Sequence, residues 1–304
     1  MLTLTSSSSE RRHYLGGLLI AVLGAVLFST KAIVAKLIYR YHVDAVTLIG
    51  FRMAFSLPVF AAVAVWQMRA AAPLSAGERW RLLVLGLIGY YLSSFLDFLG
   101  LQYISAGLER LILFLTPSFV MLMSVLLFRR KVTALEWGAL LLSYLGIILV
   151  FLHDLRFGGQ DVLLGSALVL GAAISYAAYL LQSGQLVNKL GSLRLVAYAM
   201  CVSSAACIGQ FFLLRPAALL IQPVPVYYLS VVNAIFCTVL PVFMTMIAVQ
   251  RIGAATASQA GMIGPVSTLF LGAVFLAEPI TAWQLAGTSL VMAGMYLLSK
   301  KKSA

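Results

Sequence analysis

Residues 105–150 read SAGLERLILFLTPSFVMLMSVLLFRRKVTALEWGALLLSYLGIILV, two long apolar runs joined by a short basic turn. A helix needs roughly 20 mostly apolar residues to cross the hydrocarbon core of a bilayer, and each run is close to that length. Transmembrane β-strands would be about ten residues long with alternating polarity, whereas these runs are longer and continuous. The stretch therefore predicts two transmembrane helices joined by a short loop.

The composition of the whole chain agrees with this stretch. Of the 304 residues, 62% are hydrophobic and 10% are charged, against about 45–50% and about 25% in soluble domains. Ten segments are apolar and long enough to span a bilayer: Tyr14–Ile38, Ala45–Trp66, Arg81–Leu101, Ala106–Phe128, Leu135–Phe151, Val162–Leu181, Leu193–Leu214, Val226–Val249, Ala254–Phe275 and Thr281–Ser299. The sequence predicts an all-α integral membrane protein with ten transmembrane helices.

The Lys and Arg residues are unevenly distributed over the loops. If the N-terminus is cytoplasmic, 14 of them lie in inner segments and 4 in outer segments, which matches the positive-inside rule. We therefore expect a multi-pass protein of the plasma (inner) membrane with both termini in the cytoplasm. The same bias accounts for the formal net charge of +12, so nucleic acid is not an expected partner.

A shift of 148 residues aligns the opening stretch, without a gap, with residues 253–298, GAATASQAGMIGPVSTLFLGAVFLAEPITAWQLAGTSLVMAGMYLL. Pro117 then falls on Pro265, and the turn RRKVTA falls on AEPITA, which carries Glu278 in place of the basic residues. Each copy has five spans, an odd number, so the second copy enters the membrane in the opposite orientation. Inverted repeats of this kind are typical of secondary transporters, whose substrate site lies near the midplane between the copies.

The repeat divides the chain into five parts. They are a cytoplasmic tail at 1–13, a first five-helix repeat at 14–151, an external linker at 152–161, a second five-helix repeat at 162–299 and a basic cytoplasmic tail at 300–304. The predicted fold is therefore ten transmembrane helices arranged as two inverted five-helix repeats.

In these two aligned segments the chain resembles the EamA-type members of the drug/metabolite transporter superfamily. The resemblance lies in small residues, a mid-helix proline, an LFLxE-x-T turn and a glycine-bearing helix. It implies a ten-helix carrier of small solutes and favours export over uptake, because many relatives of this type are exporters. The first copy departs from the pattern, with Arg130 at the position of the turn glutamate and with Glu109 and Arg110 where small residues are usual.

Ionisable side chains inside membrane spans cost at least about 2.5–3.5 kcal/mol at mid-helix and therefore mark candidate sites. Five lie within or at the margins of spans, all in the first copy: Lys31, Arg52, Asp97, Glu109 and Arg110. We interpret them as the lining of an outward-facing vestibule, in which Asp97 or Glu109 exchanges a proton with the outer phase. The alternative is that Lys31 and Arg52 extend to the lipid headgroups and that the two carboxylates only pair with them.

Neutral polar residues extend this candidate pathway. They are Tyr90 and Ser94 on predicted helix 3, Ser175, Tyr179 and Gln182 on predicted helix 6, and Gln259 at the start of predicted helix 9. Such side chains can also be ordinary interhelical hydrogen-bonding groups, and that alternative stays open for Tyr179 and Gln259.

Three mid-span prolines, Pro117, Pro241 and Pro265, are candidate kinks or hinges. A proline removes a backbone donor and leaves the carbonyl four residues earlier without its helical partner; for Pro117 this carbonyl is that of Leu113. Freed carbonyls can line a cavity. Glycines repeated at seven- or eight-residue spacing predict close helix contacts within the fold, with a homodimer face on the terminal helices as the alternative.

Missing motifs narrow the function further. The sequence has no G-x-x-x-x-G-K-[ST] phosphate loop, so transport is not driven by ATP hydrolysis on this chain. The three histidines lie in separate segments and the three cysteines have no C-x-x-C spacing, so no metal site and no cofactor is expected. The sequence favours a secondary active transporter that moves a small metabolite or amphiphilic solute by alternating access. The alternatives are an intramembrane enzyme acting on lipid headgroups, with Asp97 and Glu109 as acid and base, and a non-transporting membrane subunit.

Overall fold

The computed structural model of the chain describes residues 8–70, 72–129 and 132–300. These residues form ten long helices and a short 3-10 helix at Ala217–Leu220. The long helices are α1 Ser8–Tyr39, α2 Ala45–Ala70, α3 Ala76–Leu101, α4 Ala106–Phe128, α5 Ala134–Arg156, α6 at 159–190, α7 Ser192–Leu214, α8 Val224–Gly253, α9 at 254–276 and α10 Ala282–Lys300. Predictions for residues 1–7 and 301–304 and for Arg130 fall outside the described residues, whereas residues 8–13, expected in the tail, belong to α1. The chain is an all-α integral membrane protein.

Eight of these helices, α1 to α8, are long and apolar enough to cross a membrane. The sequence predicted ten such spans, and the length and composition of the described residues do not confirm the last two. A turn at Gly261 and Met262 interrupts α9, so its continuous apolar run is only Ile263–Leu276. The last helix, α10, has 19 residues, about 28 Å at 1.5 Å per residue, which is close to the thickness of the hydrocarbon core.

The linker expected at 152–161 is much shorter in the structure. Helix α5 continues to Arg156 and α6 begins at Gly159, whose backbone is non-helical with φ 58° and ψ −141°. The linker was predicted to begin at polar residues such as His153 and Asp154, but both belong to helix α5. Asp154 accepts a hydrogen bond of 3.1 Å from the hydroxyl of Ser105.

The two halves of the chain repeat their helix starts. Helices α5 and α10 begin at Ala134 and Ala282, and each follows a threonine in a capping arrangement. The N–H of Thr133 donates to the carboxylate of Glu136 at 2.8 Å. Around Thr281, its N–H donates to the side-chain oxygen of Gln284 at 3.3 Å, and the N–H of that glutamine donates back to the threonine hydroxyl at 3.2 Å. The sequences TALE and TAWQ therefore start equivalent helices.

The halves also repeat their backbone irregularities. The π-helical turns Leu87–Leu92 in α3 and Ile235–Val239 in α8 begin 148 residues apart. Left-handed residues end α4 and α9 at Arg129, with φ 51°, and at Ala277, with φ 58°, again 148 residues apart. The repeat seen in the sequence is thus a repeat of conformation as well.

The helices pack in pairs, and the 148-residue shift relates one pair to another. Helix α1 packs on α8, and its equivalent α6 packs on α3; α2 packs on α7 and α5 on α10. The last pair meets closely at Gly146 and Gly287, where a Cβ added to either residue would lie 2.5–2.6 Å from the carbonyl oxygen of the other. These two glycines therefore serve a contact within the fold, as the spacing predicted.

Candidate functional site

The structure brings the five predicted charges together in one buried group, here called the ion cluster: Lys31, Arg52, Asp97, Glu109 and Arg110. Lys31 on α1 forms an ion pair with Asp97 on α3, and its ammonium lies 3.3 Å from Oε1 of Glu109 on α4. The residue exposures range from 0% for Glu109 to 6% for Arg110. Four helices of the first copy thus each contribute at least one charged group to a site closed to solvent.

Two phenylalanine rings lie between the three cations. The ammonium of Lys31 lies 5.4 Å from the ring centroid of Phe28 and 5.5 Å from that of Phe98. The guanidinium carbon of Arg52 is 5.0 Å from the Phe98 centroid, and that of Arg110 is 5.1 Å from the Phe28 centroid. A cation over a ring within about 6 Å of its centroid is attracted by the ring quadrupole. The rings therefore help to hold three like charges in one buried site.

The second copy contributes neutral groups to the same site. Nε of Arg52 donates to the hydroxyl of Thr238 at 2.8 Å, within the π-helical turn of α8. Arg110 lies against Gly264 of α9, where an added Cβ would come within 2.5 Å of its Nη2. The absence of a side chain at this glycine therefore leaves space for the guanidinium. The ion cluster lies between the two copies.

Several buried polar atoms of the ion cluster have no hydrogen-bond partner among the described residues. They are Nη1 of Arg52, Nε of Arg110, Oδ1 of Asp97 and both carboxylate oxygens of Glu109. Oε1 of Glu109 is near Lys31 only as an ion-pair contact. Most buried polar atoms in folded proteins are paired, because an unpaired one costs free energy. The cluster thus has hydrogen-bonding capacity for a further polar group.

The interpretation of these residues as the lining of an open vestibule is wrong for this conformation, because all five are buried. A second polar layer lies between them and the predicted outer end. Lys36, more than one turn beyond Lys31 on α1, lies 3.5 Å from Oε1 of Glu278. The same oxygen accepts the N–H of Ala106, at the start of α4, at 3.2 Å. The pairing expected for the carboxylates is present at Lys31, but this lysine turns into the bundle instead of toward the headgroups.

A further ion pair joins two loops at the same end. Nε of Arg215 donates to Oδ2 of Asp44 at 3.0 Å, and the N–H of Thr47 donates to Oδ1 at 3.1 Å. Partial burial alone would raise the pKa of Asp44, but the hydrogen bonds from Thr47 and Arg215 and the charge of Arg215 hold this pKa below its ordinary value of 3.8. The α1–α2 loop is thereby tied to the α7–α8 loop through an ionised carboxylate.

Two of the predicted neutral residues meet in a second group, here called the tyrosine cluster: Tyr90, Tyr176 and Tyr179. The ring centroid of Tyr179 lies 5.0 Å from that of Tyr90 and 5.5 Å from that of Tyr176, and the Tyr179 hydroxyl donates to the Tyr90 hydroxyl at 3.4 Å. Beside them, the hydroxyl of Ser175 donates to the carbonyl of Ile88 at 2.7 Å, in the π-helical turn of α3. Ser175 therefore has a structural partner, whereas the tyrosines pack against one another.

The remaining neutral candidates are not members of either cluster. Ser94 is half-buried on α3, Gln182 is exposed on α6, and Gln259 is half-buried just before the turn that interrupts α9. A role for these three residues in the pathway stays a prediction. Among the described residues, no group of three or more His, Cys, Asp or Glu side chains could hold a metal ion. The interaction that the ion cluster shows is ion pairing.

The matched prolines begin the second parts of two interrupted helices. Pro117 follows a turn in α4, and Pro265 follows the turn in α9. The sequence reading expected free carbonyls here, but that of Leu113 accepts the hydroxyl of Thr116 at 2.7 Å. The carbonyl of Gly261 accepts the N–H three residues later at 3.0 Å. Local donors thus replace the missing helical hydrogen bonds, so these two carbonyls are not free to bind a group in a cavity. The hinge role of the prolines stays a prediction.

Sequence reasoning missed four residues that shape the two clusters. They are Phe28, Phe98, Tyr176 and Gly264. One signal was available, because the 148-residue shift places Phe28 on Tyr176 and so pairs two aromatic residues. For Gly264 no local signal exists, since its importance depends on a guanidinium that arrives from the other copy.

Comparison with known proteins agrees with the fold and its repeat. A family model described as the EamA-like transporter family matches residues 15–152 and again residues 163–300. The chain is 29% identical over 291 residues to "Uncharacterized transporter YcbK" of Bacillus subtilis (strain 168), covering 92% of this chain and 91% of the relative. It is 26% identical over 283 residues to an "Uncharacterized transporter" of Archaeoglobus fulgidus, covering 90% and 99%. A crystal structure of a protein 16% identical to it matches with a TM-score of 0.66 over 95% of this chain and 99% of that chain, which shows the fold alone. With the same model matching both halves, the chain belongs to the EamA-like transporter family.

Proposed function

We propose that this chain is a secondary active transporter that moves a small metabolite or amphiphilic solute across the plasma membrane by alternating access. The observation that carries the proposal is the ion cluster, which lies buried between the two copies. The fold does not require these charges, because the positions equivalent to Lys31 and Arg52 hold Tyr179 and Met200 in the second copy. Costly buried charges that a similar helix bundle can do without support a role in moving solute.

Alternating access requires the two ends of a pathway to open in turn. At the predicted outer end, the contacts of Glu278 with Lys36 and Ala106 would part to expose the ion cluster. Toward the other end, the tyrosine cluster would separate. The matched turns in α4 and α9 are places where the helices can bend, because local donors already satisfy the carbonyls there.

Proton exchange at Asp97 or Glu109 is the coupling step that we favour. Both carboxylates contact the same ammonium, that of Lys31, and Arg110 follows Glu109 in the chain. Protonation of one carboxylate would leave Lys31 with a single anionic partner and change the charge of the whole cluster. A proton can therefore alter the binding of a solute without a large movement of the backbone.

Solute movement is the decisive test. Metabolite profiles of medium and cytosol, compared between overexpressing and deletion strains, identify the solute, and accumulation in the medium is the result expected for export. Flux of that solute is then measured in proteoliposomes with an imposed pH gradient. Absence of net flux contradicts the carrier role, and chemical conversion of a lipid headgroup without flux would indicate an intramembrane enzyme instead.

The proton step is tested in the same proteoliposomes with Asp97→Asn and Glu109→Gln. We expect at least one variant to lose the response of flux to the pH gradient. Asp154→Asn is the matched control, since that carboxylate bonds to Ser105 outside the ion cluster. Wild-type flux and pH response in both cluster variants would refute proton exchange at these residues.

A further inference from the structure

The ion cluster carries an excess of positive charge. Three cations, Lys31, Arg52 and Arg110, stand with two carboxylates, so the formal charge is +1 when all five groups are ionised. Protonation of either carboxylate raises it to +2. The site is therefore cationic in each of these states, within a membrane span where an uncompensated charge is costly.

The two carboxylates are both engaged with one cation. Asp97 and Glu109 contact Lys31, whereas within the described ranges no carboxylate forms an ion pair with Arg52 or Arg110. A cluster that served only to stabilise the helices would be complete with the lysine and its carboxylates. The two arginines therefore add positive charge that no carboxylate in an ion pair with them balances.

Each arginine also has an unused donor. Arg52 is 5% exposed and Arg110 is 6% exposed, yet Nη1 of Arg52 and Nε of Arg110 have no acceptor among the described residues. Charged donors form their strongest hydrogen bonds with anionic oxygens, and guanidinium groups match carboxylates in geometry. An anionic oxygen bound at either donor would satisfy that donor's hydrogen-bonding capacity, and its charge would offset the excess positive charge of the cluster.

We infer that the ion cluster is a binding site for a small organic monoanion, a metabolite with a single carboxylate, which is held by Arg52 and Arg110. The inference rests on the proposed carrier function and names the class of its substrate. One negative charge neutralises the fully ionised cluster, whereas a dianion would leave it at −1 and a cation would raise it to +2. In this fully ionised state the charge of the site therefore selects for monoanions.

Matched aromatic probes test the charge preference directly. The full-length chain is purified in detergent, and its thermal unfolding midpoint is measured with benzoate, benzyl alcohol, benzylammonium and phenyl phosphate. Sodium chloride keeps the ionic strength constant, so that a general salt effect is the same in every titration. We expect a saturable rise in the midpoint with benzoate and a smaller rise, or none, with the other three probes.

Variants locate the site. Arg52→Gln and Arg110→Gln should each weaken the apparent affinity for benzoate at least about tenfold, because each removes a charged donor. Glu109→Gln should strengthen it, because it raises the charge of the cluster. Arg215→Gln is the matched control, since this arginine pairs with Asp44 in the loops and should keep wild-type affinity. If Arg110→Gln does not fold, Arg110→Lys keeps the charge but loses the guanidinium fork and should still weaken binding.

The possible results are distinct. Equal or stronger stabilisation by benzylammonium or phenyl phosphate, no saturable effect of benzoate, or wild-type affinity in both arginine variants would each overturn the inference. Flux of a cationic solute in proteoliposomes would overturn the substrate class and leave the carrier function in place. Binding of benzoate without flux of any solute would preserve the anion site and contradict the carrier function.

Discussion

Lys31 of α1 and Tyr179 of α6 occupy equivalent positions in the two copies, 148 residues apart, and each lies at the centre of its own cluster. Lys31 contacts both carboxylates of the ion cluster, and Tyr179 packs between two other tyrosines. Their neighbours correspond as well, because the same shift relates Phe28 to Tyr176. The two clusters are thus the same structural site built twice, once with charges and once with aromatic hydroxyls.

Removal of the central ammonium should be costly. In Lys31→Met, Asp97 and Glu109 lose their common cationic partner while they remain buried, and breaking a buried pair on one side costs about 3–5 kcal/mol. We expect a loss of this size in the free energy of unfolding, measured in mixed detergent micelles. Lys36→Met is the control, since its side chain is 24% exposed and should cost much less. Equal losses in the two variants would show that the ion cluster contributes little to stability.

The contact between α5 and α10 should tolerate no added carbon atom. Gly146→Ala would place a methyl group against the carbonyl of Gly287, and overpacking of this kind costs about 1–3 kcal/mol. Gly138 on the same helix has nothing within 4 Å of an added Cβ, so Gly138→Ala should leave stability unchanged or raise it by up to about 1 kcal/mol. Thermal unfolding of the two variants in detergent measures the difference, and a destabilised Gly138→Ala would contradict this account.

The loop ion pair should make a pH-dependent contribution to stability. Because the folded pKa of Asp44 lies below its ordinary value of 3.8, its contribution is fully present above that value and is lost as the pH falls through the folded pKa. We expect Asp44→Asn to be less stable than wild type at pH 7 and the two to converge below about pH 4. Unfolding midpoints measured across this range test the sign, and a difference that grows on acidification would reverse it.

The Lys36–Glu278 pair should control access from the predicted outer end. Lys36→Glu creates a repulsion with Glu278, and the exchanged pair Lys36→Glu with Glu278→Lys restores the attraction. Access is measured at Cys237, which is buried next to the ion cluster with its sulfur 3.0 Å from the hydroxyl of Thr30. Cys201 and Cys207 are replaced by alanine in all three proteins, so that Cys237 is the cysteine that reacts. A membrane-impermeant maleimide should label it faster in the single variant and at the wild-type rate in the exchanged pair. Equal rates in all three proteins would show that this layer does not close the path.

The apolar pattern predicted the bounds of some helices and missed those of others. Helix α4 was predicted at Ala106–Phe128 and has these bounds in the structure. Helix α3 begins at Ala76 instead of Arg81, because its first turn is charged and is formed by the capping of Ser75 with Glu78. A prediction from hydropathy leaves out a charged first turn, although local hydrogen bonds make this turn helical.

The candidate site was only partly predictable for a different reason. The cost of a charge in a membrane span identified all five members of the ion cluster from the sequence. Which atoms they contact depends on the packing of α1 to α4 with α8 and α9, so the roles of Thr238 and Gly264 did not follow. The vestibule is closed in this conformation, which the sequence could not show, since depth along a helix says nothing about whether neighbouring helices close over it.

The space that Gly264 leaves for Arg110 means that the two halves of this molecule are no longer interchangeable. The first-copy residue equivalent to Gly264 is Thr116, so a bundle made of two first halves would place a threonine where the guanidinium needs room. A bundle made of two second halves would have that room but no arginine to fill it, because Ser258 stands at the position of Arg110. Although the halves share one architecture, the charged centre needs one copy of each, the first for its charges and the second for the space at Gly264.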